Sequence, residues 1–245
     1  MTRQIIIIIG ILFTLSNLQI VLAITPYLGG GQTTASMAHI GVGLVGNQIT
    51  AHLAEGDYMP TLRKLPYGLS FAPTDPWEPL ANSAYNGQYG WNTTGFFTIP
   101  AGASFWIKRI NSSPGLRCYH EDDYSEILTT DNPSDPNSQW RWDAIMTHNF
   151  YGVRNVTQTT YVVTYEIFFG DTITGNPANY NHIAPAQITL SWHALPGDFN
   201  GDDQVDLLDL ILLSNQWLIY DAAISVTSNE NPIALFEFSM LAWQW

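Results

Sequence analysis

Between residues 37 and 193 apolar and polar positions alternate in short runs, the pattern of strands with one buried face. Residues 37–45 place Ile40, Val42 and Leu44 on one side, and residues 48–54 do the same with Ile49, Ala51 and Leu53. Gly46-Asn47 between them is a hairpin signal. Further runs fall at 96–99, 104–110, 116–119, 140–148 and 188–193, the first two of these flanking a Pro-Ala-Gly turn. The run 161–169 is the strongest, rich in Val, Tyr, Ile and Phe. Stretches rich in Pro, Gly and Asn at 65–79 and 131–138 read as loops, and no long amphipathic helical period intervenes. The expectation over 24–195 is a mainly β domain, an antiparallel β-sandwich of jelly-roll-like character, long enough to bury a sizeable core.

The pattern changes after the short connector Ala194-Leu195-Pro196-Gly197. Residues 207–218 form an apolar helical run, and just before it lies Asp198-Phe199-Asn200-Gly201-Asp202-Asp203-Gln204-Val205-Asp206. Counting Asp198 as position 1, side-chain oxygens fall at positions 1, 3, 5, 9 and 12, which are Asp198, Asn200, Asp202, Asp206 and Asp209. The carbonyl of Gln204 stands at position 7. Calcium takes about six to eight oxygens at roughly 2.3–2.6 Å, and this spacing folds them around one point. The bland alternative is an acidic linker in which Asp206 caps the next helix. Position 6 is Asp203 rather than Gly, so a residue that tolerates the left-handed backbone less well must adopt it. Position 12 is Asp rather than the longer Glu of an EF-hand.

An Asp at position 12 and a single helix after the loop resemble the type I dockerins. A shift of 28 residues sets 209–217 over 237–245, with Gln216-Trp217 recurring as Gln244-Trp245, so the tail carries an internal repeat. The second copy has Val226, Ser228, Glu230 and Ala234 where the first has Asp198, Asn200, Asp202 and Asp206. One calcium ion is therefore expected, bound by the first half of a small α-helical module spanning 197–245. In dockerins positions 10 and 11 help to recognise cohesin. Here they are Leu207 and Leu208, more apolar than the usual pair, which implies docking to a cohesin-like or other cell-surface protein through an apolar contact. The whole layout resembles secreted, dockerin-tailed proteins of planctomycete-type bacteria.

Residues 1–23 begin with Arg3, run through an apolar core and end in Val21-Leu22-Ala23, the form of a secretory signal peptide. Export to the outside of the cell or its surface follows, with no membrane span in the mature chain. The formal charge is −13, and loss of Arg3 with the signal makes it more negative by one. Residues 197–245 hold eight acidic side chains and no Lys or Arg. Nothing in that balance suits a phosphate backbone, which excludes nucleic acid as the expected partner. The single cysteine, Cys118, has no partner for an internal disulfide and reads as a buried, inert thiol.

Candidate chemistry in the β domain is thin. His39 and His52 lie on the two strands of one hairpin and would approach each other if a bulge shifted the register, with His148 or a carboxylate completing a metal set. The alternative is polar histidines on a solvated strand face. The cluster His120-Glu121-Asp122-Asp123 suits a metal or a general acid, and equally a solvated loop. Glu166 and Asp143 on separate strands could form a glycosidase pair, but alternation puts Glu166 on an outer face. No Gly-x-Ser-x-Gly, His-Glu-x-x-His or phosphate loop occurs, so no catalytic residue is expected. The segment 84–92, with Tyr85, Tyr89 and Trp91 among Asn and Gly, has the composition of a sugar-stacking loop. Trp140 and Trp142 share one strand face, expected to be inward. Polysaccharide is thus an alternative ligand for the β domain, and a third possibility is a calcium clamp that only fixes the tail to it.

Overall fold

Among the described residues eleven strands form, and one α-helix follows them. The computed structural model describes residues 24–218 apart from 55 and 57. Residues 1–23 and 219–245, and with them the expected signal peptide and the second copy of the repeat, lie outside the described residues. In chain order the strands are β1 (Ala38–Val45), β2 (Gln48–Leu53), β3 (Ala84–Asn86), β4 (Tyr89–Thr93), β5 (Ala103–Ser112), β6 (Arg117–Tyr119), β7 (Glu126–Ile127), β8 (Gln139–Trp142), β9 (Phe150–Val153), β10 (Thr160–Asp171) and β11 (Ala186–His193). The helix is α1 (Leu207–Leu218). The architecture is mainly β and sandwich-like, with a small helical part at its end.

Three sheets share the core, ordered β2-β1-β4, β11-β10-β5-β8 and β3-β9-β6-β7. All pairs are antiparallel except β1 with β4. The first hairpin has the expected register, with Val45 opposite Gln48 across Gly46-Asn47 and Gly46 at φ 59°. Ile40, Val42 and Ile49 are buried. In β10 every odd-numbered residue from Tyr161 to Phe169 points inward, against Leu190 and Trp192 of β11 and Phe105 and Ile107 of β5. Rings dominate this core. Trp192 lies 5.1 Å from Tyr89 and 4.5 Å from Tyr151, and Trp91 lies 5.7 Å from Tyr165. Each fully buried large side chain contributes about 1.5–3 kcal/mol by leaving water.

Three sequence expectations fail for identifiable reasons. Residues 96–99 form no strand: Thr94 makes the last hydrogen bond to β1, and Gly95 at φ 77° then turns the chain away. The run 140–148 is not one strand, because Ala144 at φ 61° breaks it after Trp142 and the chain crosses to the β3-β9-β6-β7 sheet. The segment 84–92 is not an exposed sugar-stacking loop. It forms β3 and β4, with Tyr85, Tyr89 and Trp91 buried. Its polar residues satisfy one another: Asn86 Oδ1 accepts the Gln88 N–H and Asn86 Nδ2 donates to Gln88 Oε1, both at 2.9 Å. Gln88 Nε2 donates to Ser36 O and Tyr58 Oη at 2.7 Å. A polar sequence therefore sits in the core with its hydrogen bonds met, at little desolvation cost.

Candidate metal centre

The loop and α1 are shaped by the same carboxylates. Asp206 precedes the helix, and its Oδ1 accepts the Leu208 N–H at 2.8 Å. Asp209, in the first turn, reaches back so that its Oδ2 accepts the Asp206 N–H at 2.9 Å. This reciprocal pair is a capping box with Asp in place of Glu or Gln. The other oxygen of Asp209 accepts the N–H groups of Phe199 at 2.7 Å and Asn200 at 3.0 Å. One fully buried carboxylate thus ties the loop's start, its end and the helix entry together.

Asp198, also buried, accepts the N–H of Gly201 at 2.7 Å and of Asp203 at 3.2 Å. Asn200 and Asp202 each accept the N–H two residues on, at 2.9 Å, the turns that short polar side chains build from their own backbone. Asp203 sits at φ 66°, so position 6 takes the left-handed conformation although it is not glycine. The six residues picked out by spacing, Asp198, Asn200, Asp202, Gln204, Asp206 and Asp209, therefore share one wound loop. Their oxygens are turned largely onto the loop's own N–H groups. Among the described residues no three His, Cys, Asp or Glu side chains converge tightly enough to hold a metal.

The loop is seated on the β domain by residues 60–67. This strap pairs first with the end of β11, where the His193 N–H donates to Pro60 O and the Leu62 N–H to His193 O, both at 2.8 Å. Arg63 then exchanges two backbone hydrogen bonds with Tyr85 of β3. Beyond that the strap meets the loop. Arg63 Nε donates to Asp203 Oδ2 at 2.6 Å, the Tyr67 N–H donates to Asn200 O at 2.8 Å, and Lys64 Nζ lies 5.1 Å from the centre of the Phe199 ring. Gly201 packs so closely on the strap that a Cβ would come within 2.8 Å of Leu65 O, at φ 75° besides. Only glycine fits there.

Charge is concentrated at this seat. Burial raises the Asp198 carboxyl above its usual range and the neighbouring Asp209 adds to the rise, while the N–H bonds and Lys64 act the other way. Burial lowers the Lys64 ammonium, and attraction to Asp198 and Asp209 opposes that fall. Arg63 and Lys64 were not picked out from the sequence. The available signal was the contrast between an all-acidic tail and a domain whose few basic residues include this adjacent pair.

On α1, Leu213 is buried, whereas Leu207, Leu208 and Ile211 are 57%, 55% and 44% exposed. The other candidates do not assemble into a site. The hairpin register sets His52 opposite Gly41, with no bulge, so His39 and His52 do not stand directly opposite each other. His39 instead lies 6.4 Å from the His148 ring. Nδ1 of His148 lies 3.1 Å from Gly87 O, and its backbone N–H donates to Glu121. His120, Asp122 and Asp123 lie between β6 and β7, with Asp123 accepting from Ser125. Asp143 pairs with Arg141 at 3.2 Å, and Glu166 faces outward on β10. Cys118 is buried, and burial pushes its thiol up to about 12, far from nucleophilic.

Family models, curated proteins and solved structures give no match to this chain. Among the described residues no helix is long and apolar enough to cross a membrane.

Proposed function

We propose that this is an exported protein that binds one calcium ion in the loop 198–209 and docks to a cohesin-like or other cell-surface protein through α1. The observation that carries the reading is the pairing of Asp198 and Asp209, two buried carboxylates within each other's field at the loop's two ends, beneath a helix whose Leu207, Leu208 and Ile211 remain exposed. The donor set fits a hard cation: it contains oxygen alone, from Asp198, Asn200, Asp202, Asp206 and Asp209 with the Gln204 carbonyl. A divalent ion would relieve the repulsion between these carboxylates and stiffen the entry to α1.

The contacts of Arg63, Lys64 and Tyr67 favour a second reading, in which calcium clamps the tail to the β domain and no partner is involved. Calcium titration of the purified protein by calorimetry, with circular dichroism alongside, tests the shared step. One site per chain is expected, with binding weakened at least about tenfold by Asp198→Ala. Equal affinity in parent and variant would sink the loop assignment. If calcium binds, capture of a partner that is lost in a Leu207→Asp, Leu208→Asp double variant favours docking. A melting temperature that rises with calcium in the absence of any such capture favours the clamp.

A further inference from the structure

We infer that a cleft on the outer face of the β11-β10-β5-β8 sheet binds a neutral saccharide. The strand registers set Gln187, Glu166, Lys108 and Gln139 in one row across all four strands. Their neighbours Tyr165, Ile167 and Ile107 point into the core, so the row faces out. The adjacent row holds Phe168, Trp106 and Arg141. The chain between β10 and β11 rises over this face and makes a wall. Trp106 Nε1 donates to Asp171 O at 3.1 Å, the Thr172 N–H to Gly102 O at 3.1 Å and Tyr180 Oη to Ala101 O at 3.3 Å. Asp171 Oδ1 fastens the turn by accepting the N–H groups of Ile173 and Thr174. The space between floor and wall is a cleft of about 470 Å³, lined by Lys108, Gln139, Glu166, Phe168, Tyr180 and Asn181 among others. Ligand pockets of small molecules span about 300–1,000 Å³.

The chemistry of the floor selects the ligand. Lys108 and Glu166 are cross-strand neighbours of opposite charge, an arrangement that ordinarily closes into an ion pair. Here both are half-buried in the cleft, and neither side chain makes an ion pair or a hydrogen bond with any described residue. A ligand that donates to the carboxylate and accepts from the ammonium on the neighbouring strand would give both side chains a partner. Neighbouring hydroxyls of a sugar ring do both, and the Gln139 and Asn181 amides offer further donors and acceptors. Tyr180 gives apolar surface for the C–H face of the ring, above the buried Phe168 in the floor. One positive and one negative side chain balance, which suits an uncharged ligand and disfavours a polyanion.

The cleft shares no residue with the 198–209 loop, so the two readings stand or fall separately. Electrophoresis of the purified protein through gels containing a soluble polysaccharide tests it, using xylan, mixed-linkage β-glucan, galactomannan and dextran, with polygalacturonate as the acidic control. The expected result is retardation by at least one neutral polymer, about tenfold weaker or more in Glu166→Gln and in Lys108→Met at unchanged circular dichroism. Retardation by none of the neutral polymers, retardation by polygalacturonate alone, or retardation undiminished in the Glu166→Gln, Lys108→Met double variant would overturn the proposal.

Discussion

Trp192 and Asp209 are both fully buried, the first among aromatic rings and the second among backbone N–H groups. Around Trp192 the chain is held by long-range contacts between strands distant in sequence, and dispersion and water exclusion do not depend on ions in solution. Around Asp209 the hydrogen bonds are local, between residues of one loop, and the carboxylates repel one another. The first region is stable by itself, while the second has charge left over that something else must balance. Lys64 supplies part of that balance from the β domain.

The largest expected effect tests the aromatic side of this contrast. Trp192→Ala removes the ring between Tyr89 and Tyr151 and should cost about 3–5 kcal/mol, read as a fall in the urea midpoint. Trp192→Phe should cost much less, because the indole N–H has no hydrogen-bond partner among the described residues and phenylalanine removes it. If both cost the same, ring packing is not what holds this region.

The acidic side is tested by the strap. Lys64→Met removes the cation that attracts Asp198 and Asp209 while keeping a side chain over Phe199. Calcium affinity should rise several-fold, since the ion no longer competes with an internal ammonium, and α1 should be less ordered without calcium by circular dichroism. Unchanged or weaker affinity would mean that Lys64 does not act on the loop's charge. The smallest effect is expected of Asp203→Gly. It relieves a left-handed residue, worth about 1–2 kcal/mol, and breaks the Arg63 ion pair, worth about 0–1 kcal/mol where exposed. Calcium affinity should stay within about threefold of the parent. A larger loss would place Asp203 among the groups that matter for binding.

The strands that could be read from sequence are those with one buried face. Ile40, Val42 and Ile49, and the odd-numbered residues of β10, follow alternation because nothing else competes for their orientation. The misreading of 84–92 has its own cause. Asn86 and Gln88 are polar and lie inside, since their amides bond to each other and to the backbone, and a polar pattern says nothing about where its partners are. The helix start was legible because its capping residues are adjacent in the chain. The seat of the loop was not, because Arg63 and Lys64 meet Asp203, Phe199 and Asp209 only after β3 and β11 have placed the strap. The cleft floor was half legible: alternation put Glu166 outside, but its alignment with Lys108 and Gln139 depends on strand order.

The strap also has a mechanical consequence. Residues 60–67 hold the end of β11, the edge of β3 and the loop in one short line of chain. Tension applied to α1 by a surface-bound partner would not peel the tail away at the connector 194–197. The Arg63–Asp203 and Tyr67–Asn200 links would carry the load into two different sheets at once, so that several strand contacts share it in parallel. The joint between the two parts behaves as a buckle and not as a leash.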